Sequence, residues 1–167
     1  TTGTITIKPN STLTLIGGSA TTTVCVNTLI TPIVYESTSS ATLISIVAGS
    51  LPSGLTPTYD NSTKRFTISG TATQSGTFTY TIATTGDCVT ETTTGTITIN
   101  PNATIALQSG SATTTICINN LITPIVYKST SSTSGMSIVA GGLPVGLTSG
   151  YNDATKEFTI SGTATQS

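Results

Sequence analysis

The chain has 167 residues, enough for one large domain or two small ones, yet only 7% are charged, against roughly a quarter in ordinary globular chains. Its net charge of −1 comes with five cations, of which only Lys64 and Arg65 are adjacent; that argues against binding to nucleic acid, which needs clustered lysine and arginine. Histidine is absent, which removes the commonest general base and metal ligand, and no apolar run reaches the roughly 18–20 residues of a membrane helix. The surface is made polar instead by Thr and Ser, more than a third of the chain. Thr is β-branched and favours strands, so such a chain can wet the outside of a sheet with hydroxyls.

Period-2 alternation predicts strands in chain order over 12–17, 21–27, 31–37, 43–49, 64–70, 76–84 and 88–99. In "GTFTYTIAT" (76–84), Phe78, Tyr80 and Ile82 share one face and Thr77, Thr79 and Thr81 the other, as in a sheet buried on one side. "LPSGL" (51–55) reads as a corner, with Pro52 second and Gly54 fourth in a type I turn. "YDNSTK" (59–64) reads as a hairpin turn capped by Asx side chains. Seven short strands in about 90 residues predict an all-β fold of Ig-like antiparallel β-sandwich type. The expected core is Leu29, Ile33, Tyr35, Phe66, Phe78, Tyr80 and Ile82.

The chain then repeats itself with a period of 92 residues. "TGTITIKPN" (2–10) falls on "TGTITINPN" (94–102), "CVNTLITPIVY" (25–35) on "CINNLITPIVY" (117–127), and "FTISGTATQS" occurs at both 66–75 and 158–167. No gap is needed, and about 70% of the 75 aligned pairs are identical, which makes this a tandem array. Residues 1–9 read as the final strand of a preceding repeat, 10–100 as a complete repeat, and 101–167 as a second repeat without its closing strands. With Thr rather than Met first, the chain reads as a processed product or a window on a longer array.

Each full repeat is expected to carry an early and a late cysteine, here Cys25 and Cys88, with Cys117 the early one of the second repeat. Cys25 and Cys88 are expected to form a disulfide, closing a loop of roughly 60 residues worth on the order of 4 kcal/mol and implying an oxidising, extracellular setting. The partner of Cys117 would lie beyond the chain end. The alternative is a pair of buried free thiols.

Little catalytic chemistry is available. Ser and Thr abound, but a nucleophile needs a base and an orienting group, and neither is present. No metal or cofactor is expected; the carboxylates are scattered, and those near the turns read as local caps rather than a calcium site. Glu36 aligns with Lys128 and Arg65 with Glu157, so charge reverses at both positions, which argues against a role common to both repeats. Tyr59 and Tyr151, which recur in the turns, are the candidate ligand contacts for a carbohydrate-binding module.

"CVNTLITPIVYESTSS", "GSLPSGLT" and "FTISGTATQSGTFTYTIATTGDC" together resemble a repeat of the very large cell-surface adhesins of Bacteroidetes bacteria, the SprB-like gliding-motility adhesins. The resemblance covers 25–88 throughout and 117–167 as far as it runs. It implies an Ig-like or PKD-like sandwich repeated along an extracellular filament, exported by type IX secretion and sticking to surfaces or polysaccharide. The partners it implies are neighbouring repeats and such surfaces. Two other functions remain open: a filament subunit assembled from other copies by donor-strand complementation, and a carbohydrate-binding module.

Overall fold

The computed structural model describes residues 1–37, 41–86, 89–129 and 133–166. The described residues form strands and turns with no helix, and the chain divides into two compact units, Thr1–Pro101 and Asn102–Ser167.

The first unit contains β1 (Thr14–Gly17), β2 (Thr21–Cys25), β3 (Ile33–Glu36), β4 (Ala41–Gly49), β5 (Leu55–Asp60), β6 (Arg65–Gly70), β7 (Gly76–Gly86) and β8 (Thr92–Asn100). One sheet runs β1-β3-β6-β5 and is antiparallel throughout. The other runs β2-β8-β7-β4. Its β7 pairs are antiparallel, whereas β2 lies parallel to β8. Strands 1, 3, 6 and 5 on one sheet and 4, 7 and 8 on the other give the Ig-like distribution, with β2 crossing from one sheet to the other. The second unit contains β9 (Ile105–Ser109), β10 (Ile125–Ser129), β11 (Leu147–Asn152) and β12 (Glu157–Gly162), in a single sheet of order β11-β12-β10-β9.

Alternation places Ile33 and Tyr35 of β3, Phe66 and Ile68 of β6, Tyr80 and Ile82 of β7, and Ile97 and Ile99 of β8 in one buried cluster between the sheets. Burying each such side chain contributes about 1.5–3 kcal/mol. The Tyr35 and Tyr80 hydroxyls meet at 3.1 Å, so the two sheets are joined by a buried hydrogen bond. It connects the second strand of one sheet with the central strand of the other, where antibody domains place a disulfide. Desolvation, and then the bond to Tyr35, push the Tyr80 phenol well above its ordinary pKa.

Four expectations are corrected in detail. Leu29 is 70% exposed, and its neighbour Ile30, at 1%, is the core residue. Leu29 bridges Thr71 across an antiparallel pair, so alternation turns residue 30 inward. The corner is shifted by one residue: Leu55 N donates to Pro52 O at 3.2 Å, and Gly54 stands third with φ +90°. A positive third position fits a type II turn, not type I. A strand over Leu55–Asp60 lies outside the expected set; it forms at the edge of its sheet, where the N–H that Pro57 lacks costs no ladder bond. The last strand begins at Thr92 rather than at residue 88.

The hairpin turn after β5 is held by Asp60. Its Oδ1 accepts from the Ser62 hydroxyl (2.6 Å) and backbone N–H (2.8 Å), and its Oδ2 from the Thr63 hydroxyl (2.9 Å). The Ser62 hydroxyl and N–H, then Thr63, lower the carboxyl pKa from 3.8 to about 2. Because the folded pKa lies below the unfolded one, the turn's stabilisation is present in full above 3.8 and is lost as pH falls through about 2. An NMR titration of Asp60 is expected to show a midpoint near 2, and Ser62→Ala to move it upward; a midpoint near 3.8 in the parent chain would contradict the turn geometry.

Gly95 of β8 lies opposite Tyr80, and a Cβ there would overlap the Tyr80 ring. Gly3 occupies the same place in the earlier "TGTITI" with nothing within 4 Å. Gly95→Ala is therefore expected to cost ~1–3 kcal/mol in denaturant unfolding of the first unit through overpacking, and Gly3→Ala nothing measurable. Equal effects of the two substitutions would contradict this assignment of Tyr80's seat.

Candidate functional site

The alternation that buries Ile97 and Ile99 turns threonines outward on three adjacent strands. Thr23, Thr98 and Thr77 lie in one cross-strand row, Thr21, Thr96 and Thr79 in the next, and Thr94 and Thr81 in a third. Exposure alternates with burial along β8 and β2, as a half-buried sheet requires. In the third row the Thr81 and Thr94 hydroxyls share a hydrogen bond of 3.1 Å. These three rows hold no charged side chain, and their polar groups are all hydroxyls. Sheet geometry spaces the hydroxyls about 4.8 Å across strands and about 6.7 Å along them. Each threonine offers a donor, an acceptor and a methyl group. Such a face can hydrogen-bond an extended polyhydroxyl ligand, each bond contributing a net ~0.5–1.5 kcal/mol.

The tyrosines occupy other places. Tyr59, on β5 opposite Phe66, packs against the core cluster, and its hydroxyl is buried with no partner among the described residues. Desolvation, then the charge of Asp60, raise its pKa. Tyr151 is half-buried and donates to Thr133 O at 3.0 Å. Neither ring stands as an open stacking platform, so the structure does not place the carbohydrate contact there.

Cys25 is exposed as a free thiol, continuing the outward row of Thr21 and Thr23 and pairing with Asn100 at one end of β8. Cys88, the expected disulfide partner of Cys25, lies outside the described residues. Cys117 is likewise an exposed thiol.

The carboxylates make local contacts. The Asp60 oxygens are occupied by its own turn. In the second unit, Asp153 holds Lys156 at 2.7 Å, which lowers the carboxyl pKa and raises that of the amine. No group of three or more metal-ligating side chains occurs among the described residues. The charge reversals between repeats prove to share a role after all. Glu36 and Arg65 face each other across β3 and β6 at 3.2 Å, and Lys128 and Glu157 face each other across β10 and β12 at 3.6 Å. The same cross-strand ion pair is kept with its signs exchanged, which a position-by-position comparison of charge hides.

No family model and no curated protein matches this chain. Solved structures do. The I-band fragment I67-I69 from titin aligns over 92% of this chain and 55% of its own, with 9% identity and a TM-score of 0.59. The E-to-A variant of the same three-Ig fragment aligns over 95% and 56%, with 9% identity and a TM-score of 0.60. The chain thus spans a little over half of these fragments. At such identity the likeness concerns the fold: this is an all-β chain of tandem Ig-like domains.

Proposed function

We propose that the chain is a structural and adhesive repeat segment of a large extracellular surface filament, without enzymatic activity, of the kind found in SprB-like gliding-motility adhesins. The observation that carries this reading is the charge-free threonine face of β2, β8 and β7 on a tandem Ig-like scaffold. The scaffold supplies reach. The face supplies weak contacts to a neutral polysaccharide or a hydroxylated surface, and repetition along an array turns weak contacts into avidity. The tandem Ig-like fold and the Bacteroidetes-type repeat motifs support the cell-surface setting; the acidic, low-charge composition fits a face that works without electrostatic steering.

The test is retention of the chain on cellulose or agarose beads. Binding is expected to survive high salt, because no ion pair carries it. A Thr79→Val, Thr96→Val, Thr98→Val variant keeps shape and strand preference while deleting three hydroxyls. It is expected to bind about tenfold or more weakly with an unchanged unfolding midpoint, consistent with the loss of one to three modest hydrogen bonds. Undiminished binding by that variant would exclude this face as the contact.

A further inference from the structure

Near the start of the first unit lies a strand that is a parallel neighbour of the unit's last strand. β2 runs alongside β8 with Thr21 opposite Thr96 and Cys25 opposite Asn100. At the two ends of this ladder, Thr96 N donates to Ala20 O at 2.8 Å and Val26 N to Asn100 O at 2.9 Å. Parallel ladder bonds recur at every second residue, so the N–H groups of Thr22 and Val24 also point to β8. Those of Thr23 and Cys25 face the open edge of the sheet, where β2 has no further neighbour.

The direction of the two strands decides how the unit meets tension. The chain enters β2 at the Thr21 end of the ladder and leaves β8 at the Asn100 end. Pulling on the chain therefore drives β2 and β8 past each other along their length, and every bond of the ladder carries load at once. Were the two strands antiparallel, entry and exit would share one end and the bonds would open one after another. Forced unfolding is governed by the barrier to unfolding, and a barrier that breaks all the bonds together is the higher one.

Packing fixes where slip occurs. β8 is held on its far side by β7, from Gly76 to Ala83, and its Ile97 and Ile99 are 0% and 1% exposed. Val24 and Val26 pack against the same core cluster, so moving β2 along β8 also drags two valines over the core. Upstream, β1 holds to β3 by a short pairing that a bulge interrupts. It gives way first and passes the load to β2.

We infer that the parallel β2–β8 ladder is a tension-bearing clamp, and that the repeat serves to hold load along its own chain. This goes beyond the adhesive reading and does not depend on it, because the clamp uses main-chain bonds and the threonine face uses outward hydroxyls.

Single-molecule pulling of the 167-residue chain tests this in two geometries on one Cys88→Ser, Cys117→Ser background. Peptide tags at both chain ends load the ladder in shear. A handle on the exposed Cys25, with the second on the C-terminal tag, opens the same ladder from one end, because Cys25 and Asn100 are opposite each other. Loss of the ladder in shear frees the chain from Thr21 to Asn100, roughly 80 residues, and lengthens it by up to about 260–290 Å. The strands of the second unit span only Ile105–Gly162, so its steps are shorter. The first unit is expected to need a several-fold higher force in shear than in the zipper geometry. Thr22→Pro, which removes a ladder donor, is expected to bring the shear force down toward the zipper value. Thr23→Pro, whose N–H faces the open edge, is expected to leave it near that of the parent. The unfolding midpoint of each variant verifies that it folds; if Thr22→Pro does not, the two geometries of the parent decide alone. Equal forces in the two geometries, or a folded Thr22→Pro variant with undiminished shear force, would overturn the inference. Retention on polysaccharide beads is scored separately.

Discussion

The two sheets of the first unit are located against each other by the hydroxyl bond between Tyr35 and Tyr80. Two aromatic side chains from facing central strands fill the sandwich, and their polar ends satisfy each other where no water reaches. Removing one oxygen would leave the other buried and unpaired, a cost of about 1–3 kcal/mol. The pair also dictates the sequence around it. Tyr80 lies against β8 only because residue 95 is glycine, and once β8 is seated, Ile97 and Ile99 close the core while Thr94, Thr96 and Thr98 must point outward. Core closure and the hydroxyl face are therefore two sides of one strand.

Much of this is legible in the sequence. Alternation in 76–84 identifies both faces of β7, and the 92-residue period reveals the tandem organisation without any structural knowledge. The asparagine of "CVN" and "CIN" marks a turn in both units: Asn27 and Asn119 have φ of 64° and 65°, a conformation asparagine tolerates better than most residues. What escaped had physical causes. Adjacent Leu29 and Ile30 are equally apolar, and only the bridge to Thr71 decides which one faces inward. Pro57 hides an edge strand because the cost of proline depends on whether its neighbour side is paired. The exchanged ion pairs are invisible until β3 and β6 are known to be neighbours.

The site shows a similar division. Two tyrosines recurring in turns drew attention as possible sugar platforms, but position in a turn does not determine ring exposure, and Tyr59 turns onto the core. The threonine face is written in the sequence as three separate alternating runs; it becomes a surface only when β2, β8 and β7 are placed side by side, with β2 parallel to its neighbour. The adhesion proposed for this face asks little of any single residue. It needs a stiff sheet, many hydroxyls and repetition, and the composition provides all three without charge.

The central claim is that β8 closes the core of the first unit, and residue-resolved amide hydrogen exchange on dilute, reduced protein tests it most directly. The account predicts the slowest exchange at Tyr80, Ile82, Ile97 and Ile99, where the ladder is central and buried, and rapid exchange over 114–118, where no such strand lies alongside. Equal protection of 114–118 and 22–26, or an unprotected β8, would contradict it.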